Sequence, residues 1–100
     1  MNTLGEILRE HRESKGFLLR QVAAALEMDT ALLSKFERNE RVPNKEQVLI
    51  FAKYYGIDKD HLILAWLSDK ISNELQGEDL AKEVLKAAEI KVDLHRKKKK

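Results

Sequence analysis

The sequence predicts an all-α fold, and three observations support this prediction. Apolar residues recur at helical spacing in six segments of the chain. No segment shows the sustained alternation of β-branched or aromatic residues that is typical of a strand. The chain also holds only 4 glycines and 1 proline among its 100 residues, of which 36% are charged. This composition is typical of a soluble helical domain with one modest core.

The first helix is predicted from about Thr3 to Lys15. Thr3 and Glu6 have the spacing of a capping box, in which each side chain accepts a hydrogen bond from the backbone N–H of the other residue. Gly16 is the expected end of this helix, because a residue without Cβ readily adopts the left-handed conformation that closes many helices.

Two short helices follow, at residues 20–26 and 30–38, with only residues 27–29 between them. Helices shorter than about a dozen residues are marginal in water on their own. The two therefore need a shared core, and a helix-turn-helix corner provides one. Asp29 is predicted to cap the second, because its carboxylate can accept from first-turn N–H groups. In helix-turn-helix proteins the N-terminus of this second helix enters the DNA major groove, so the segment predicts DNA binding.

Three more helices complete the predicted fold. Asn44 and Gln47 have capping-box spacing at the start of the fourth helix. Asp58 is the expected cap of the fifth, and the last helix is expected at about residues 78–90. Apolar residues at positions 62–67 cover nearly every direction around the fifth helix, which must therefore be buried on more than one side.

A set of short motifs spans about residues 4–64: Leu8-Arg9-Glu10-His11-Arg12, Lys15-Gly16, Val22-Ala23, Leu26, Leu33-Ser34-Lys35-Phe36-Glu37-Arg38, Pro43, and Ala52 through Gly56-Ile57. With these motifs the chain resembles the Xre-type family of DNA-binding domains, which includes lambda-repressor-like and Cro-like proteins. The resemblance implies a five-helix lambda-repressor-like helix-turn-helix domain over residues 1–68. It does not explain the C-terminal third, where apolar spacing predicts an additional helix. Residues 69–95 are therefore predicted to be a helical extension that serves dimerisation, and residues 96–100 a basic tail that is disordered by like-charge repulsion.

By this resemblance, the residues that read DNA bases are Thr30, Ala31, Ser34 and Lys35. Helical spacing places these four on one face, while Leu33 and Phe36 face the core. A lysine can donate to guanine O6 and N7, and an alanine or threonine methyl can contact the methyl group of thymine. The alternative interpretation is an ordinary solvated helix face.

Seven further side chains are candidates for phosphate contacts: Arg9, Arg20, Gln21, Arg38, Asn39, Arg41 and Lys45. Such contacts orient a protein on DNA without reading its sequence. Where the family has a small N-cap followed by a phosphate-binding glutamine, this chain has Leu18 and Leu19, so Arg20 or Gln21 is the candidate substitute. Where the turn of the family usually has a glycine, this chain has Glu27, and a positive φ at that residue would strain the backbone. The alternative is a set of ordinary surface charges.

Arg12 and Glu37 have a different predicted role. The resemblance implies that they form a partly buried, structural ion pair between the first and third helices. Removing one partner of a buried pair leaves an uncompensated charge, which is strongly destabilising. The alternative is that Arg12 is free to reach DNA.

The net charge of +2 conceals an uneven distribution. Residues 1–56 hold 9 basic and 8 acidic residues, residues 57–95 hold 5 and 9, and residues 96–100 are all basic. The positions of the basic side chains therefore matter more than their number for nucleic-acid binding. The basic tail either raises DNA affinity by displacing counterions or is simply a solvated terminus.

The apolar C-terminal third predicts a homodimer. The expected interface residues are Leu64, Trp66, Leu67, Ile71 and Leu75. Two-fold dimers are the commonest oligomers, and helix-turn-helix dimers read two half-sites about one DNA turn apart. A monomer with a complete core of its own is the alternative.

No enzyme site, metal site or cofactor is predicted. His11, His61 and His95 are scattered, cysteine is absent, and no Gly-rich phosphate loop occurs. No apolar run approaches the roughly 20 residues of a membrane-spanning helix, and the N-terminus lacks an apolar signal core. A cytoplasmic location is expected, with no small-molecule effector and no membrane partner.

The sequence therefore predicts a transcriptional regulator that binds double-stranded DNA sequence-specifically, as a homodimer on a partly palindromic operator. By resemblance, a restriction–modification controller and a phage-type repressor are the roles it fits. The alternative is an antitoxin or adaptor-type protein-interaction module whose C-terminal helices bind a partner protein.

Overall fold

The computed structural model describes residues 2–98 and contains six helices over that range. They are α1 (Leu4–Ser14), α2 (Leu19–Ala25), α3 (Thr30–Glu37), α4 (Lys45–Tyr55), α5 (Lys59–Glu74) and α6 (Ala81–Lys98). No strand occurs among the described residues, so the all-α prediction is confirmed. The chain divides into two compact units, of which the first ends at Lys70 and the second begins at Ile71.

The first unit is built around one apolar core, to which α1 to α4 and the first part of α5 all contribute. Its fully buried large side chains are Leu8, Val22, Leu33, Val48, Phe51 and Leu62. The Phe51 ring packs edge-on against Phe36, with ring centroids 6.2 Å apart, and stacks on Tyr55 at 6.4 Å. Each large apolar side chain that is fully buried stabilises the fold by about 1.5–3 kcal/mol relative to exposure. The short α2 and α3 are thus held by a shared core.

Several helices begin at side-chain hydrogen bonds that the sequence predicts. Thr3 Oγ1 accepts from the Glu6 backbone N–H at 3.2 Å, and Glu6 Oε1 accepts from the Thr3 N–H at 3.0 Å. Hydrogen bonding to Thr3, above all from its backbone, lowers the pKa of Glu6. Asn44 and Gln47 form the same reciprocal pair, at 2.8 and 2.9 Å. Asp58 caps α5, where its carboxylate accepts from a first-turn N–H at 3.1 Å.

Trp66 belongs to the core of the first unit. Its side chain is only 7% exposed, and its Nε1 donates to the backbone oxygen of Pro43 at 2.8 Å. The Lys70 ammonium lies 3.9 Å from the ring centroid. The indole therefore fixes the loop that precedes α4. The sequence also predicts Trp66 at a dimer interface; that stays a prediction, to which only the small exposed part of the side chain could contribute.

The second unit contains the end of α5, a turn and α6. The last helix extends to Lys98, well beyond the predicted end near residue 90. Residues 96–98, which the sequence predicts to be disordered, are therefore helical, while residues 99 and 100 lie outside the described residues. Basic side chains at a helix C-terminus interact favourably with the helix dipole, which offsets their mutual repulsion.

Tyr55 carries a buried hydroxyl that has no hydrogen-bond partner among the described residues. A buried polar group without a partner costs about 1–3 kcal/mol. We therefore expect Tyr55→Phe to leave the free energy of unfolding unchanged or to raise it by about 1 kcal/mol. Urea denaturation at neutral pH measures this change. A clear loss of stability would instead show that the hydroxyl is hydrogen-bonded.

The same variant has a predictable alkaline behaviour. Burial raises the pKa of Tyr55 above its ordinary value. Above a pH of about 10 the unfolded chain loses this proton while the folded chain keeps it, so stability falls as pH rises. Tyr55→Phe removes this contribution, and its advantage over the wild type should grow in that range. Tyr54→Phe, at the half-buried neighbouring tyrosine, is the matched control.

Candidate nucleic-acid interface

The corner between α2 and α3 is a tight turn closed by backbone hydrogen bonds. The Met28 N–H donates to the Ala23 oxygen at 2.8 Å, and the Glu27 N–H donates to the Ala24 oxygen at 3.2 Å. Glu27 has a φ of +53°, so a residue other than glycine adopts the left-handed backbone conformation in this turn. Such a conformation costs roughly 1–3 kcal/mol and persists only where the surrounding structure holds it. The buried Ala23, whose side chain is a single methyl, lets the two helices pack closely.

Asp29 fixes the start of α3, and its carboxylate accepts from the Leu32 N–H at 3.2 Å as predicted. The four residues predicted to read bases follow directly. Thr30, Ala31 and Lys35 are exposed, and Ser34 is half-buried. The opposite side of α3 is anchored, because Leu33 and Phe36 are buried in the core. The structure thus brings the four residues together on the outward face of the helix.

Lys35 is the charged group on this face. Within residues 2–98 it takes part in no ion pair, so its ammonium remains available to a ligand. The N-terminus of α3 adds the partial positive charge of the helix dipole. Both features favour hydrogen-bond acceptors and anions, which are the groups that DNA presents on its base edges and backbone.

Arg12 and Glu37 form a bidentate ion pair that joins α1 to α3. Arg12 Nε lies 2.8 Å from Glu37 Oε2, and Arg12 Nη2 lies 3.0 Å from Oε1. The third donor, Nη1, reaches the backbone oxygen of Phe17 at 2.8 Å. The side chains are only 12% and 4% exposed, and the hydrogen bonds to Glu37 raise the pKa of Arg12. Arg12 is therefore held inside the domain and sets the position of α3.

Asn39 forms a second clamp between α3 and α1. Its φ is +61°, which turns the chain sharply just after α3. Its Oδ1 accepts from the Gly5 N–H at 3.2 Å, and its Nδ2 donates to Thr3 Oγ1 at 3.0 Å. Asn39 is nevertheless exposed, and its Nδ2 carries a second N–H donor, so the phosphate contact predicted for it stays a prediction.

Two of the predicted phosphate-contact residues take part in surface ion pairs. Arg9 lies 3.3 Å from Glu13, and Arg38 lies 3.2 Å from Glu40, with all four side chains more than half exposed. Exposed pairs of this kind contribute only about 0–1 kcal/mol, so a phosphate can readily replace the carboxylate. The other basic candidates are exposed to solvent: Arg20, Arg41 and Lys45.

Gln21 takes over part of the missing cap at the start of α2. Leu18 occupies the cap position and has no polar side chain. Gln21 Oε1 accepts from the Leu18 N–H at 2.8 Å, which satisfies one backbone donor. The phosphate contact of Gln21 stays a prediction, which would use the N–H donors of its Nε2 group.

The close approach of α1 to the end of α3 was not predicted from the sequence. A Cβ on Gly5 would lie 2.6 Å from the backbone oxygens of Phe36 and Glu37. A glycine inside a helical pattern is a known signal of close backbone contact, and Gly5 gives that signal. A second unpredicted contact joins the Leu4 N–H to Asp69 Oδ2 at 2.8 Å. Nothing in the local sequence indicates a partner 65 residues away.

Within residues 2–98, no three His, Asp or Glu side chains converge as metal ligands would. Over the same range, no helix combines the length and apolar character that crossing a membrane requires.

The chain belongs to the helix-turn-helix domain family, whose model matches residues 3–65. The match covers α1 to α4 and the start of α5. A curated relative, the HTH-type transcriptional regulator ImmR of Bacillus subtilis (strain 168), is 30% identical over 61 residues. That alignment covers 61% of this chain and 48% of the relative, so the chain spans about half the relative's length. The predicted resemblance to Xre-type domains is confirmed.

Proposed function

We propose that this protein is a sequence-specific transcriptional regulator that binds double-stranded DNA through α3. The observation that carries this proposal is the exposed face of Thr30, Ala31 and Lys35 on a helix that is fixed at both ends. Recognition requires side chains to be held within about 0.5 Å of their productive positions. The Asp29 cap at one end and the Arg12–Glu37 pair at the other supply that rigidity.

In the proposed complex, α3 lies in the major groove with its outward face toward the base edges. Lys35 donates to guanine O6 and N7, and the methyl groups of Ala31 and Thr30 contact thymine methyls. Ser34, with one donor and two acceptor lone pairs, hydrogen-bonds a neighbouring base edge. The exposed basic residues around α3 contact phosphates and fix the register of the protein on the duplex: Arg9, Arg20, Arg38, Arg41 and Lys45, together with Gln21.

We extend the proposal to a homodimer that reads a partly palindromic operator. Leu64, Leu67 and Ile71 are exposed apolar residues on α5, and their spacing of three and four residues places them on one side of that helix. Leu75, just after α5, is half-buried. Contiguous exposed apolar surface of this kind marks interaction sites. A two-fold pairing would present two copies of α3 to half-sites about one DNA turn apart.

Regulation would follow from occupancy of the operator, without a small-molecule effector, in the cytoplasm of a bacterium. By its resemblance to the Xre-type family, this chain fits the role of a restriction–modification controller or of a phage-type repressor. The transcriptional role named for the Bacillus subtilis relative supports this class of function.

Selection from a random duplex pool at a fixed, stated salt concentration tests the proposal directly. We expect an enriched sequence with two related half-sites, whose centres lie about 10 base pairs apart or a multiple of that distance. Failure to enrich any sequence, with folded protein, would contradict sequence-specific binding. In that case the adaptor-type interaction module becomes the better interpretation.

Single substitutions then distinguish residues that contact bases from residues that contact phosphates. Lys35→Ala should weaken binding to the selected site by about 1–3 kcal/mol and relax the preference at one base position. Arg41→Ala should instead weaken binding to all sequences evenly and reduce the slope of affinity against salt by about one. Lys53→Ala is the control, because it removes the same charge at the far end of α4 from Lys45. Equal effects of Lys35→Ala on selected and unrelated duplexes would contradict base reading.

A further inference from the structure

The helix α6 exposes a broad apolar surface. None of its side chains is buried, although it is 18 residues long. Its larger apolar side chains are 43–61% exposed: Val84, Leu85, Ile90, Val92 and Leu94. Most of the stability of a protein helix comes from packing of its apolar face. Val84, Leu85 and Val92 lie on one face of α6, whereas Ile90 and Leu94 lie on the opposite side. A partner that covers the first face would therefore stabilise α6.

One strip of this face is free of formal charge at neutral pH. Ala81, Val84, Ala88, Val92 and His95 follow each other at spacings of three and four residues, so they lie along one side of the helix. Only small or β-branched residues and one histidine occur in it. The methyl side chain of Ala88, at the middle of the strip, allows two helix axes to approach to the lower end of the usual 8–10 Å.

Charge is segregated between the segment that leads into α6 and the C-terminal end of α6. Residues 74–83, which comprise the end of α5, the turn and the first residues of α6, contain four acidic residues and one basic residue, whereas residues 91–98 contain four basic residues and one acidic residue. A parallel pair of α6 helices would bring two basic ends together. An antiparallel pair would instead place each acidic end beside a basic end, and complementary charge sets orientation in helix pairs.

We propose that α6 pairs with α6 of a second copy of this chain, antiparallel, about a two-fold axis next to Ala88. In this arrangement Val84 lies opposite Val92 of the second copy, and Ala81 lies opposite its His95. The acidic residues Glu78 and Asp79 then face the basic end of the other helix. The proposal rests on the homodimer of the proposed function and specifies how the second unit takes part in it.

Cysteine cross-linking tests the orientation, because the chain has no cysteine of its own. A disulfide forms only when the two Cα atoms lie within about 7 Å. In the antiparallel pair the two copies of Ala88 meet, whereas the two copies of Ala81 lie about 21 Å apart, at a rise of 1.5 Å per residue. Ala88→Cys should therefore cross-link with itself under mild oxidation, and neither Ala81→Cys nor His95→Cys should do so. A mixture of the last two variants should form the mixed dimer.

Lys86→Cys, two residues from Ala88 on the far side of α6, is the matched control and should remain unlinked. Cross-linking of Ala81→Cys and His95→Cys each with itself would overturn the antiparallel arrangement in favour of a parallel one. Absence of any cross-link, in variants that sediment as dimers, would contradict the pairing of α6 with α6 and show that the dimer forms through another surface. Sedimentation of the unmodified chain as a monomer would contradict both the proposed homodimer and this pairing. The duplex selection reports on DNA binding independently of all these outcomes.

Discussion

Replacement of Glu37 by alanine is expected to destabilise the first unit by about 3–5 kcal/mol, the usual result of removing one partner of a buried ion pair. The substitution leaves the Arg12 guanidinium without its two carboxylate acceptors, which now lie at 2.8 and 3.0 Å. Arg12 cannot avoid this cost by losing its proton, because a guanidinium stays protonated in proteins. Total stabilities of domains are about 5–15 kcal/mol, so this loss is a large fraction.

Urea denaturation followed by far-UV circular dichroism measures the change in the free energy of unfolding. Glu13→Ala is the matched control, because Glu13 also pairs with an arginine of α1 but is more than half exposed. That variant should lose less than about 1 kcal/mol. The double variant Arg12→Met with Glu37→Leu should recover much of the loss, because apolar residues can replace a buried pair. Comparable losses in Glu13→Ala and Glu37→Ala would show that burial does not distinguish the two pairs.

The local features of the fold could be predicted from the sequence because their causes lie within a few residues. The Thr3–Glu6 capping box depends only on residue type and a spacing of three. Asp29 caps α3 for the same reason. Gly16 has a φ of +71°, the left-handed conformation expected where α1 ends. The outward face of α3 also follows from helical spacing, given that Leu33 and Phe36 are apolar.

Contacts between residues far apart in the chain were harder to predict. The apolar residues around α5 do not indicate that the Trp66 indole donates to the loop oxygen of Pro43. The periodicity of one helix does not show which neighbour covers each side. The sequence also gives no sign of the two hydrogen bonds that join Asn39 to Gly5 and Thr3. Its φ of +61° is more accessible, because Asn is among the residues that tolerate this conformation.

The functional consequence is that α3 is positioned mostly by residues outside the helix-turn-helix corner. Arg12 and Gly5 belong to α1, and Asn39 follows α3. A change at any of these residues would move the exposed face of α3 that we propose to read bases, although none of them belongs to that face. Loss of DNA binding in such variants therefore reports on the support of α3, and it must be separated from the direct effect of Lys35→Ala by a measurement of stability.

Gly5→Ala tests this support of α3 most directly, because two physical effects predict opposite changes in the free energy of unfolding. Glycine inside a helix is less favourable than alanine by about 0.5–1 kcal/mol, so helix propensity alone predicts stabilisation. The new Cβ, however, would lie 2.6 Å from three atoms: Asn39 Oδ1 and the backbone oxygens of Phe36 and Glu37. Overpacking typically costs about 1–3 kcal/mol, and two of these atoms are backbone, so we expect a net loss near 3 kcal/mol.

The measurement is the free energy of unfolding of Gly5→Ala, with its affinity for a selected duplex determined in parallel. Relief of the clash requires α1 to move away from the end of α3, so affinity should fall together with stability. The double variant with Asn39→Gly distinguishes the sources of the clash, because glycine accepts the φ of +61° while removing one of the three contacts. The two backbone oxygens remain, so the second substitution should not restore stability. Full restoration would locate the conflict in the flexible Asn39 side chain, and a stabilised Gly5→Ala would show that α1 and α3 are not closely packed.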